Sequence, residues 1–118
     1  NKFTYNLKTF KISNNDKLKT IYSVDFYEKN DEYVNLGPSY TAVFYTLNNK
    51  IYVIKYLEFS QSNKDYCSLS INGVFTFEND NNKILLSCTY FDQIPSDYYL
   101  YENNKNKYEL VVDSKGGV

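Results

Sequence analysis

At 118 residues and a formal charge of −1, the chain fits one domain spanning 1–118, with no room for two ordinary cores and enough burial to fold unaided. Its charges are well mixed and its basic groups are all lysine, which argues against a nucleic-acid partner, since phosphate and guanine are gripped best by arginine forks on a basic face. No apolar run approaches the roughly 20 residues of a membrane-spanning helix; no signal or transit peptide is visible, and because the chain opens at Asn1 without methionine it is expected to be a processed or trimmed fragment.

In chain order, eight stretches are rich in β-branched and aromatic residues and bounded by Asn, Asp, Ser, Gly or Pro: 2–12, 17–27, 39–47, 50–59, 67–77, 83–91, 97–102 and 107–113. The first changes parity between Leu7 and Phe10, which predicts a bulge. The fourth is apolar on both faces, with Ile51, Val53 and Leu57 against Tyr52, Ile54 and Tyr56. It is therefore either a central strand covered twice or a strand with an aromatic outer patch. In the fifth, Cys67, Leu69, Ile71, Phe75 and Phe77 alternate with Ser68, Ser70, Asn72 and Thr76, the period of a strand with one buried face. In the sixth, Ile84, Leu86, Cys88 and Tyr90 share a face. No stretch of helical length carries a period of 3.6 residues.

Four of these strands follow one phrase: "NNDKL" from Asn14, "NNKIY" from Asn48, "NNKIL" from Asn81 and "NNKNKY" from Asn103. Asparagine tolerates left-handed backbone angles and its amide can bond the turning chain, so each phrase closes a hairpin. The expected fold is all-β: an antiparallel meander of about eight strands, as a β-sandwich or a small barrel. Connections in a meander alternate between its two ends. The Asn-rich turns then share one end, and the longer connections 28–38, 60–66 and 92–97 share the other.

Catalysis has little to work with. The chain has no histidine, the commonest general base and zinc ligand. Its few glycines form no phosphate loop, and pairs such as Asp31 and Glu32 are what chance supplies among fourteen acids. The "ENDNN" turn at 78–82 offers oxygens but lacks the glycine and the closing glutamate of a calcium loop. No enzyme, cofactor or metal is expected. In a hairpin turning at 79–82, Gly73 faces Cys88 and Cys67 lies roughly 20 Å beyond it. That register leaves the two thiols unbridged, against the habit of exported domains to pair them.

The composition, with sixteen asparagines, fourteen tyrosines and a single alanine, follows the codons of an AT-rich genome. Within it, tyrosine carries the best functional signal, as a large amphipathic side chain enriched at interfaces. The long-connection end collects Tyr33, Tyr66, Tyr98 and Tyr99 with Asp31, Glu32, Asp65 and Asp97. This acidic, tyrosine-rich rim is the candidate binding site, for a protein partner or a glycan. The expected role is a non-enzymatic binding module, extracellular or surface-displayed. The alternatives are a barrel carrying a small apolar ligand, or a structural domain of a larger surface or virion protein. Phe3, Phe26, Phe44, Phe75 and Phe77 are expected to fill the interior, which favours a packed core over a cavity.

Overall fold

The computed structural model describes residues 2–14, 17–29, 37–59, 66–76, 82–90, 95–105 and 107–115. They form eight strands: β1 Phe3–Asn14, β2 Lys17–Glu28, β3 Tyr40–Leu47, β4 Lys50–Glu58, β5 Cys67–Thr76, β6 Asn82–Tyr90, β7 Pro95–Asn104 and β8 Lys107–Lys115. Every neighbouring pair within a sheet is antiparallel. The meander divides into two four-stranded sheets, ordered β1-β2-β3-β4 and β5-β6-β7-β8. Of the two arrangements open to the sequence, the sandwich is the one adopted. The molecule measures 47 × 38 × 18 Å, and the short axis suits two sheets stacked about 10 Å apart with their outer side chains.

The turns obey the chemistry of asparagine. Leu47 pairs with Lys50, so Asn48 and Asn49 alone make the β3–β4 turn, with φ of 52° and 63°, the left-handed pair of a type I′ hairpin. At the fourth phrase Asn104 pairs with Lys107, and there Lys105 takes the positive φ of 53°. On the far side, Gly37 has φ +153°, and a Cβ there would lie 2.7 Å from the Cβ of Tyr66. Only glycine fits that crossing.

Ile21, Val43 and Tyr45 of the first sheet meet Cys67, Leu69, Ile84, Leu86, Cys88, Tyr99, Tyr101 and Tyr108 of the second in the buried core. Tyrosine thus does inside what phenylalanine was expected to do. Phe3, Phe26 and Phe44 pair with residues of the opposite parity, on the outer face of the first sheet. Phe75 is 51% exposed, and Phe77 lies outside the described residues.

The fate of Phe75 and that of the cysteines share one cause. Instead of Phe77, it is Val74 that faces Ile84, and a bulge between Ile71 and Gly73 then brings Leu69 opposite Cys88. The bulge reverses parity, so Ile71 and Val74 both turn inward while Phe75 turns out. Cys67 becomes the diagonal neighbour of Cys88. Their Cα atoms are 5.4 Å apart and the two form a disulfide, within the reach such a bond requires. The unbridged reading fails because its turn was set too far along the chain.

Two further corrections concern the first sheet. The β1–β2 register runs unbroken from Phe3 to Asn14, so β1 has no bulge; its change of parity is apolar residues on both faces of an edge strand. The bulge of this sheet falls between Val43 and Phe44, where Ile54 is the extra residue. Strand β4 is an edge strand, and its second apolar face is an outer patch.

Candidate functional site

Of the expected rim, Asp31, Glu32, Tyr33 and Asp65 lie outside the described residues. The other four are divided by burial. Tyr66 is 3% and Tyr99 7% exposed, so both rings are committed to packing. Tyr66 packs against Phe59 with ring centres 5.6 Å apart and planes tilted by 48°, and the Lys55 ammonium lies 4.0 Å from the centre of the Tyr99 ring, a cation–π contact from the facing sheet. Burial, then Asp97, Asp113 and Tyr101, push the Tyr99 phenol above its ordinary pKa. Tyr98 is half-buried and sits opposite Ser87 and Ser114. Asp97 accepts a hydrogen bond from the Tyr90 hydroxyl at 2.6 Å. Tyr98 and Asp97 are therefore the described remainder of that rim.

Behind it sits a group that periodicity gave no reason to single out. Asp25, on β2, is 7% exposed. The Thr41 hydroxyl donates to its Oδ1 at 2.7 Å and the Ser68 hydroxyl to its Oδ2 at 2.6 Å. Thr41 Oγ1 in turn accepts the Leu69 amide at 3.0 Å. Three strands from both sheets converge on one carboxylate, and the free edge of β5 is covered where it would otherwise offer an amide for pairing. Burial and then the charge of Asp25 raise the neighbouring Tyr27 phenol. With both oxygens satisfied, Asp25 is a clamp between the sheets.

The outer face of the first sheet is of another kind. Opposed residues share a face, so the registers place Phe3, Tyr5 and Leu7 of β1 with Tyr22, Val24 and Phe26 of β2. Tyr40, Ala42 and Phe44 of β3 continue the surface, and Ile51, Val53 and Tyr56 of β4 complete it. Tyr22 and Phe44 stack at 5.0 Å with 15° between planes, and Tyr40 and Tyr56 lie 6.2 Å apart at the same angle. Phe3 meets Tyr40 edge-on at 5.6 Å. At the margins Tyr5 and Ile51 are 67% exposed and Val53 61%. The charged residues of this face stand at its ends: Glu28 and Glu58 at one, Lys11 at the other, with the Lys2 ammonium over the Phe3 ring. Desolvation and then Glu58, which accepts the Tyr56 hydroxyl at 3.3 Å, raise the Tyr56 phenol. A sheet apolar on both faces is what a layer covered on both sides looks like. The signal was present in β4, where both parities are apolar, and the outer parity is apolar in β1, β2 and β3 as well.

At the turn end a cleft of about 410 Å³ opens between the sheets, lined by Tyr45, Ile51, Tyr52, Val53, Ile54, Lys107 and Tyr108. Its size is that of a small-ligand pocket. Tyr45 stacks on Tyr52 at 5.2 Å and meets Tyr108 edge-on at 5.3 Å. The Tyr108 hydroxyl donates to Asn82 Oδ1, so the last residue of the "ENDNN" turn points its amide inward as a structural acceptor. The rest of that turn lies outside the described residues. Among the described residues no three His, Cys, Asp or Glu side chains gather as a metal site, and no helix is long and apolar enough to cross a membrane. No family model, no curated protein and no solved structure matches the chain.

Proposed function

We propose that this domain is a non-catalytic binding module whose contact surface is the aromatic outer face of the first sheet. One observation carries the reading: that face is at least as apolar as the face of the same sheet that builds the core, and nothing in the chain's described residues covers it. Exposed apolar patches of this extent mark interaction surfaces. The partner is a protein rather than a glycan. Sugars stack on ring faces laid open to solvent, whereas Tyr22 and Phe44 turn their faces to each other. Edges and aliphatic neighbours are left outward, the texture of a protein interface. The Cys67–Cys88 disulfide supports an extracellular or surface-displayed setting, since such bonds persist in oxidising compartments.

The sequence-derived rim gives the competing surface, and one comparison separates the two. Affinity capture from the surface and secreted fractions of the source is run with the wild type, with Tyr5→Lys and Val53→Lys, and with Tyr98→Ala and Asp97→Asn. Loss of the captured protein with the first pair alone supports the sheet face. Loss with the second pair alone moves the site to the rim, and a bound glycan in place of protein refutes the partner class.

A further inference from the structure

We infer that the occupant of the aromatic face is a second copy of this chain, packed sheet to sheet about a twofold axis that lies in the interface and runs across the strands. The inference rests on the reading of that face as the contact surface, and three features select the partner.

The first is size. At a strand spacing of about 4.8 Å and a rise of about 3.3 Å per residue, the paired lengths of β1 to β4 give a face of roughly 650 Å² in projection. Side-chain relief adds to that figure. The largest apolar patch on a typical monomer is about 300–600 Å², and one partner's share of a standard interface is about 800 Å². The footprint, charged ends included, is therefore close to one partner's share of a stable dimer interface.

The second is self-compatibility. An isologous interface sets each residue type against the same patch of its mate, so a face with strong charge of one sign repels its own copy. This face is uncharged through its middle, and the chain as a whole carries −1, too little to oppose association.

The third is orientation. Glu28 and Glu58 stand at the long-connection end and Lys11 at the turn end. A twofold axis across the strands runs the facing sheets antiparallel and lays the acidic end of one copy over the Lys11 end of the other. An axis along the strands would stack glutamate on glutamate. The Lys2 ammonium over Phe3 softens that end's charge but leaves the preference in place. Two sheets so arranged cover the half-buried Tyr22 and Phe44, in the manner of the two layers inside a β-sandwich.

Sedimentation velocity across a concentration series decides the matter. The wild type should form dimers with a dissociation constant at or below about 10 μM, as standard-size interfaces do. Val53→Lys and Tyr5→Lys change side chains already more than half exposed, so the isolated fold tolerates them. Each should raise the dissociation constant at least tenfold with an unchanged circular dichroism spectrum. Lys11→Glu should weaken association severalfold, and Lys11→Glu with Glu28→Lys and Glu58→Lys should recover it, because the reversed charges again oppose. Leu110→Lys, on the edge strand β8, should have no effect. A wild type monomeric to about 200 μM overturns the inference while leaving the face to a different protein. A dimer that survives Val53→Lys and Tyr5→Lys, or that Leu110→Lys disrupts instead, overturns it as well.

Discussion

Replacing Thr41 with valine isolates the clamp between the sheets. The two side chains have the same shape, and Thr41 is fully buried, so the change deletes one hydroxyl without opening a cavity. That hydroxyl makes two bonds: it donates to Asp25 Oδ1 at 2.7 Å and accepts from the Leu69 amide at 3.0 Å. Losing a hydrogen bond to a charged group costs about 1.5–3 kcal/mol, and a buried amide left without an acceptor costs about 1–3 kcal/mol. Some of this returns because valine is the more apolar side chain. A net loss of about 3 kcal/mol is expected, a large fraction of the stability of a domain this size. With a urea m-value of about 1.5 kcal/mol/M, the unfolding midpoint falls by about 2 M. Fluorescence-detected urea unfolding of the disulfide-intact protein measures it, with Asp25→Val and the double variant completing a cycle. Because valine at 25 removes the carboxylate whose partner was deleted, the double loss should be smaller than the sum by at least 1 kcal/mol. Additive losses, or a single loss under about 1 kcal/mol, would show that the clamp does not hold the sheets.

The disulfide and the buried phenols give two more tests. Denatured, unreduced protein should show no thiol reactive to Ellman's reagent, and reduction should cost about 3 kcal/mol for a loop of this span; two reactive thiols would contradict the Cys67–Cys88 bond. On raising pH, Tyr27, Tyr45, Tyr99, Tyr101 and Tyr108 should ionise later than exposed tyrosines, because burial raises each of them in the folded state. Their contribution to stability is complete below the unfolded value near 10 and is lost as pH rises through the folded values, so tyrosinate absorbance should rise in two steps, the second coinciding with unfolding. A single step near 10 with the β spectrum intact would remove these side chains from the core.

Strand positions were legible because period-two alternation and Asn-rich turns are local signals. The Asn48–Asn49 turn is the plainest case, since the φ preference of two residues defines both its type and the Leu47–Lys50 pairing it closes. Register was less legible. Nothing in "SLSINGVFTFENDNN" distinguishes a turn at 79–82 from one that leaves Thr76 opposite Asn82, and the choice is made by the second sheet and the first closing on Leu69, Ile84 and Leu86. The bulge at Asn72 follows from the same demand. The candidate site suffered most, because grouping tyrosines by which end of the chain's hairpins they occupy says nothing of which way each ring points. Tyr98 and Tyr99 are adjacent, and one faces the core while the other does not.

That distinction bears on where the molecule makes contact. Tyrosine tolerates burial when its hydroxyl reaches a partner, as Tyr108 does with Asn82 and Tyr90 with Asp97. A core built this way needs acceptors at its margins, and the asparagines and acids beside the strand ends supply them. Some of the polarity that made the rim conspicuous is consequently structural. Phenylalanine has no such requirement, and its use at Phe3, Phe26 and Phe44 on the outer face is not explained by the fold alone. The outer side of the second sheet is mixed, carrying Ser70, Ser87 and Thr89 beside Phe75, Leu85 and Leu100. Within one chain of one composition, codon bias acts on both sheets alike. It does not by itself align aromatic pairs across neighbouring strands of one face, as Tyr22 on Phe44 and Tyr40 on Tyr56 are aligned. Those aligned cross-strand pairs are thus the feature that composition does not account for, and they are why the first sheet, rather than the loop rim, is the surface to perturb first.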